Sequence, residues 1–184
     1  MELSDLVRVY PGALPRKLCR ALITGFEALY GEHIGRADDD PTAPRFTEVN
    51  LTRCWQRGHE QAFEAILPLF ERYSRDLQIS PTQWPAELAF EELRIKRYRP
   101  GAGEQFPDHV DVGDHASARR FLAALVYLND VDQGGATEFP AWGQSIQPTD
   151  GTVVLFPPLW PWLHAGRQPV SGAKYILSTY LHYT

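Results

Sequence analysis

Lys174-Tyr175-Ile176-Leu177-Ser178-Thr179-Tyr180-Leu181-His182 alternates between two surfaces. Lys174, Ile176, Ser178 and Tyr180 fall on one face and Tyr175, Leu177, Thr179 and Leu181 on the other, the period of two that an extended strand imposes. A lysine on such an inward face is costly unless something anionic meets it. Between Pro85 and this strand, short β-rich runs follow one another, separated by Gly, Pro, Asn and Asp: Phe90 to Tyr98, Phe121 to Leu128, Ala136 to Phe139, Gln144 to Gln147, Thr152 to Phe156 and Leu163 to Arg167. So many short strands in about a hundred residues predict a sandwich or jelly-roll barrel.

The first half has a different texture. Leu18, Leu22, Phe26 and Leu29 follow helical spacing between Pro15 and Tyr30, with Pro15 suited to a first turn, after a short strand around Leu6 to Val9. A second helical pattern runs through Phe63, Ile66, Phe70, Tyr73 and Leu77, where Pro68 must kink the helix or start a new segment. Between the two, Gly31 to Arg57 is polar and turn-rich, with Asp38, Asp39, Asp40, Pro41 and Pro44, and reads as a mobile loop that could close over substrate. The expectation is one domain over 1–184, of class α+β but mainly β. Residues 1–84 supply a strand, helices and the loop, and 85–184 supply the β core, with the helices packed on one outer face.

The 184 residues carry 18 Lys and Arg against 23 Asp and Glu, a net charge of −5. That balance argues against a nucleic-acid or anionic-membrane partner. No apolar run reaches the roughly 18 residues of a membrane span, and Met1 to Tyr10 lacks the pattern of a secretory leader. Cys19 and Cys54 have no CxxC partner, so a reduced, cytoplasmic setting is expected. The residues carry no signal of oligomeric state.

The chemistry lies in His109-Val110-Asp111 and His164. In an extended stretch the HxD spacing puts both side chains on one face, and a second imidazole from another strand completes a 2-His-1-carboxylate set with open metal positions. Alone, such a set also suits catalytic zinc, or a β-barrel that binds metal without oxygen chemistry. No HExxH-like general base accompanies it.

The surrounding residues are more specific. Tyr98-Arg99-Pro100-Gly101, Phe106, His109, Asp111, Arg120-Phe121, Tyr127-Leu128-Asn129, Gly134-Gly135-Ala136-Thr137-Glu138-Phe139-Pro140, Pro148, Gly151, Phe156-Pro157, His164, Pro169-Val170 and Gly172-Ala173-Lys174-Tyr175 occur in order over about half the chain. This series resembles the prolyl 4-hydroxylase-like family of Fe(II)/2-oxoglutarate-dependent dioxygenases. The resemblance implies a double-stranded β-helix, cupin-like core, with Fe(II) held by His109, Asp111 and His164 as the catalytic centre. It also implies 2-oxoglutarate as cosubstrate, bound by Lys174 with Tyr98, Tyr127 and Ser178 nearby. O2 is then the oxidant, ascorbate a reductant, and succinate and CO2 the products from 2-oxoglutarate.

Substrate choice is where the chain departs from the family. The segment from Tyr98 to His109 is longer than the commoner YxxGxxYxxHxD form, and Phe106 stands at its second tyrosine. Phe156-Pro157-Pro158-Leu159-Trp160-Pro161-Trp162 before His164 is rich in Pro and Trp. Arg120, Phe106, Trp142, Trp160 and Tyr180 are the candidate substrate-pocket residues. The resemblance favours a prolyl residue in a peptide or protein; free proline, another amino acid or a small metabolite is the alternative.

Overall fold

The computed structural model describes residues 2–36 and 43–184. A 3-10 turn at Leu3–Leu6 leads into β1 (Arg8–Tyr10), helix α1 (Arg16–Ala28), β2 (Ile34–Arg36) and β3 (Phe46–Asn50). The short α2 (Leu51–Cys54) and long α3 (Gln56–Asp76) follow. The remainder is β: β4 (Leu88–Phe90), β5 (Arg94–Tyr98), β6 (Phe106–His109), β7 (Arg120–Tyr127), β8 (Thr137–Phe139), β9 (Gln144–Ile146), β10 (Val153–Phe156), β11 (His164–Gly166) and β12 (Lys174–Tyr183).

Among the described residues these strands form two antiparallel sheets. The larger runs β1-β10-β7-β12-β5-β3-β2, with β4 paired to the far end of β12, and the smaller runs β6-β11-β8-β9. Alternation along the central strands separates two apolar layers. Leu122, Ala124 and Val126 of β7 and Leu177 and Leu181 of β12 pack under Cys19, Leu22 and Phe26 of α1 and Ala62, Ile66, Phe70 and Tyr73 of α3. From the opposite face, Ala123, Tyr127 and Ile176 meet Phe139, Phe156 and Trp162 between the sheets. The helices therefore cover one outer face, as the helical and strand periods predict.

Three details differ from the sequence reading. The stretch read as a loop from Gly31 to Arg57 contains β2, β3, α2 and the start of α3, and every residue of β3 is buried. Its polarity is deceptive, because Glu48 is held by Arg36 and Arg94, and the Asn50 amide donates to Glu92 at 2.7 Å. Paired across strands, such groups are buried at little cost. Asp38, Asp39, Asp40 and Pro41, on which the mobile-loop reading leaned, lie outside the described residues. Second, α3 runs unbroken through Pro68, which is exposed, so the carbonyl it leaves free faces water. Third, the run from Phe90 to Tyr98 is two strands, β4 and β5, interrupted at residues 91–93.

Phe26 is fully buried at the helix–sheet contact and touches the Tyr175 ring edge-on at 5.7 Å. Phe26→Ala should lower stability by about 3–5 kcal/mol in urea unfolding, with the metal-binding residues undisturbed.

Candidate metal and cosubstrate site

The cross-strand register of the smaller sheet sets His109 directly opposite His164. Asp111 follows β6 by two residues, and one ligand atom from each of the three lies within 4.8 Å of the others. His109 Nε2 is 3.4 Å from Asp111 Oδ1, and His164 Nε2 is 3.6 Å from Asp111 Oδ2. Each imidazole is fixed from behind: His109 Nδ1 donates to the Pro107 carbonyl at 2.7 Å and His164 Nδ1 to the Trp162 carbonyl at 3.0 Å. That leaves both Nε2 lone pairs aimed inward as metal ligands. Trp162, whose indole donates to the Leu3 carbonyl at 3.2 Å, anchors the turn before His164, so the Pro- and Trp-rich segment positions a ligand.

Electrostatics favour the ligand forms. Burial alone would raise the Asp111 carboxyl, yet the adjacent His109 and His164 imidazoles and the Tyr180 hydroxyl bring it down to about 2. Burial depresses His164, keeping it neutral. The Tyr180 hydroxyl donates to Asp111 Oδ1 at 2.7 Å, and Arg120 donates to the Asp111 backbone carbonyl at 2.9 Å. Arg120 is itself gripped by Glu91 at 2.7 and 2.9 Å and lies over the Tyr180 ring at 4.1 Å. Phe106 stacks on His109 with centroids 3.8 Å apart.

Deeper in, Lys174 is 1% exposed. Its ammonium donates to the Gly135 carbonyl at 2.9 Å and lies over the Tyr98 ring at 4.7 Å. No carboxylate among the described residues pairs with it, and burial depresses it to about 7. Gly135 has φ +72°, a backbone conformation that glycine adopts without strain where its carbonyl meets the lysine. The narrow cavity between Lys174 and the triad is lined by Tyr98, Thr137, Leu125, Ile176, Gly166 and Tyr180, among others. A buried ammonium facing this space fits an anionic ligand that also reaches the metal.

Outward, the triad opens on a cleft of about 520 Å³ lined by Arg36, Phe46, Glu48, Glu91, Arg94, Lys96, Phe106, Arg120, Ser178 and Tyr180, among others. The structure thus brings together the triad, Lys174, Tyr98, Arg120, Phe106 and Tyr180. Four sequence candidates fall elsewhere. Tyr127 stands behind the cavity, its hydroxyl donating to Thr137 Oγ1 at 2.7 Å, and Thr137 rather than Tyr127 forms the wall. Ser178 faces the outer cleft, four positions along β12 from Lys174 and too far to share its ligand. Trp142 packs on Phe139 and Trp162 at the edge of the inter-sheet core. Trp160 is 80% exposed on a 3-10 turn, away from the cleft. Lys96 and Thr137 went unassigned by sequence, although the alternation Arg94, Lys96, Tyr98 puts Lys96 on the face of a residue already placed in the pocket.

The pattern of the 2OG-Fe(II) oxygenase superfamily matches residues 93–182. The chain is 32% identical over 108 residues to prolyl 4-hydroxylase subunit alpha-1 of Gallus gallus, covering 50% of this chain and 20% of that one. It is 28% identical over 148 residues to a putative prolyl 4-hydroxylase of Acanthamoeba polyphaga mimivirus, covering 71% of this chain and 58% of the relative. It thus spans under two thirds of both relatives. The fold superposes on the 2OG complex of the viral collagen prolyl hydroxylase of Paramecium Bursaria Chlorella virus-1 with a TM-score of 0.76 at 20% identity, covering 97% of each chain. These matches support a 2OG-Fe(II) oxygenase, and the sandwich has the double-stranded β-helix fold of its structural neighbours. The relatives and structural neighbours it resembles are prolyl 4-hydroxylases.

Two measurements test the site. Tyr180→Phe removes the bond that orients Asp111 and should weaken Fe(II) binding about tenfold in an anaerobic titration, without changing the fold. For Lys174 the folded ammonium loses its proton near about pH 7, whereas the unfolded chain holds it to about 10.4. Between these values the unfolded chain binds more protons, so this group's contribution to apo-protein stability rises with pH. Urea unfolding across that window should show wild type gaining on Lys174→Met; parallel curves would contradict the depressed value.

Proposed function

We propose that this protein is an Fe(II)/2-oxoglutarate-dependent dioxygenase that hydroxylates a C–H bond, with a prolyl residue of a peptide or protein as substrate. The observation that carries the reading is the pairing of an inward-facing His109, Asp111 and His164 triad with a buried, carboxylate-free Lys174 across one cavity. His109, Asp111 and His164 would hold Fe(II), and Lys174 the distal carboxylate of 2-oxoglutarate, with Tyr98 and Thr137 beside it. Iron bound there supplies oxygen activation, coupled to conversion of 2-oxoglutarate to succinate and CO2.

The chain's own residues orient and exclude. The Pro107 and Trp162 carbonyls fix the imidazole tautomers, and Tyr180 and Arg120 hold Asp111 in place. Phe106, Leu125 and Ile176 keep the cavity wall apolar, which strengthens every charge inside it and holds water from a reactive centre. The names of the relatives support a prolyl substrate, and the cleft outside the triad provides room for it. Ascorbate as reductant and a cytoplasmic setting complete the proposal. A metal-binding barrel without oxygen chemistry leaves Lys174 unexplained, because the Gly135 carbonyl and the Tyr98 ring supply no anion to its buried ammonium.

Fe(II) and 2-oxoglutarate added without oxygen should give wild type the visible charge-transfer band of chelated 2-oxoglutarate. His109→Ala should abolish it. Lys174→Ala should demand on the order of tenfold to a hundredfold more 2-oxoglutarate, the worth of a charged hydrogen bond. Iron binding by wild type with no band would overturn the cosubstrate assignment.

A further inference from the structure

Four cations line the outer cleft: Arg36, Arg94, Lys96 and Arg120. Three are neutralised in place. Arg36 bonds Glu48 at 2.9 Å, Arg94 bonds Glu92 at 2.6 Å and Glu48 at 3.3 Å, and Arg120 is gripped by Glu91. Lys96 differs. Among the described residues no carboxylate forms a direct ion pair with its ammonium, which lies over the ring faces of Phe46 at 5.1 Å and Phe106 at 5.5 Å and feels Glu48 and Asp111 only through space. Glu48, its cross-strand neighbour on β3, is already committed to two arginines. The ammonium is half-buried, and burial lowers its proton affinity. Aromatic faces offset part of that cost, and an anion would offset far more.

Its position is as telling as its isolation. On β5 the residues Arg94, Lys96 and Tyr98 face inward, while Ile95 packs under the helices and Arg97 reaches Glu27 of α1. In the register Tyr98 opposes Lys174 and Lys96 opposes Ile176, so the two lysines sit one pleat apart, about 7 Å along the sheet. Lys96 lines both the outer cleft and the inner cavity that holds the triad. If the oxygenase reading holds, both carboxylates of 2-oxoglutarate are accounted for, one by Lys174 and the other at the triad. A second unmatched cation at the mouth of the same cavity calls for a second anion.

Resting on that reading, the geometry points to Lys96 as the anchor for a carboxylate of the substrate that is oxidised. The substrate therefore carries an anionic group close to its target C–H: the main-chain carboxylate of a free imino acid or of a C-terminal residue, or an acidic side chain beside an internal prolyl. An internal prolyl with no acidic neighbour offers only neutral carbonyls and loses the charge-assisted bond.

The test uses iron-loaded protein with saturating 2-oxoglutarate, without oxygen, and reads the perturbation of the visible band as each probe binds. Three acid–amide pairs distinguish the sources: L-proline and L-prolinamide, a peptide ending in proline and its C-terminal amide, and an internal prolyl peptide with Asp or Asn as neighbour. In wild type at least one acid should bind tenfold or more tightly than its neutral counterpart. That preference should vanish in Lys96→Met and return in Lys96→Arg, while the 2-oxoglutarate titration and far-ultraviolet circular dichroism stay as in wild type. The inference is overturned if no wild-type pair discriminates, silence of every probe included, and this arm needs no variant. It is equally overturned if the preference survives Lys96→Met, or if that variant weakens 2-oxoglutarate instead. Absence of the band in wild type would sink the oxygenase reading itself, and this inference with it.

Discussion

The pairing of β6 with β11 is the constraint on which the rest depends. Only because His109 and His164 are direct cross-strand partners do two imidazoles from distant parts of the chain meet. A slip of one residue would turn one of them to the outer face, since side chains alternate strictly along a strand. The smaller sheet is only four short strands, so its register needs external support. Part comes from Trp162, buried between the sheets and tied to the N-terminal turn, and part from the isolated bridge between Gly134 and Pro169, where a Cβ at Gly134 would fall 2.5 Å from the Gln168 carbonyl.

The larger sheet plays the complementary part. Its central strands divide their side chains between a helix-covered layer and the cavity, and nothing polar enters the helix side of β7 or of the middle of β12 beyond Thr179, whose hydroxyl donates to the Glu91 carbonyl at 2.8 Å. The same carbonyl-to-carboxylate stretch around Glu91 then grips Arg120, which supports the backbone of Asp111. Candidate metal ligands beside one sheet are thus braced by an ion pair at the other, which adds to the Tyr127–Thr137 and Tyr180–Asp111 hydrogen bonds between the layers.

Much of this is legible in the sequence because period two is a strong signal when both faces are occupied. Lys174, Ile176, Ser178 and Tyr180 do share a face, and the triad and Lys174 do converge. What eludes the sequence is pairing between polar groups. Glu48 and Asn50 look like loop residues until Arg36, Arg94 and Glu92 arrive from other strands, which is why β3 reads as a loop. Tyr127 shows the converse limit: alternation gives its face but not its depth, and its hydroxyl is spent on Thr137. Trp160, judged by residue type and nearness to His164, is carried outward by a turn whose direction no spacing encodes. Lys96 was hidden among basic neighbours whose partners only the fold supplies.

The bond from Tyr127 to Thr137 has a directional effect. A threonine hydroxyl owns one hydrogen, and the Tyr127 proton already occupies an acceptor lone pair on Thr137 Oγ1. The hydrogen of Thr137 is therefore free to turn toward the cavity that this residue lines with Lys174. A buried phenol, its own ionisation suppressed by burial, acts as a ratchet on proton polarity: it presents the wall as a donor before any guest arrives. The cavity wall thus sets the Thr137 hydrogen beside the Lys174 ammonium, a pair of donors that suits a carboxylate.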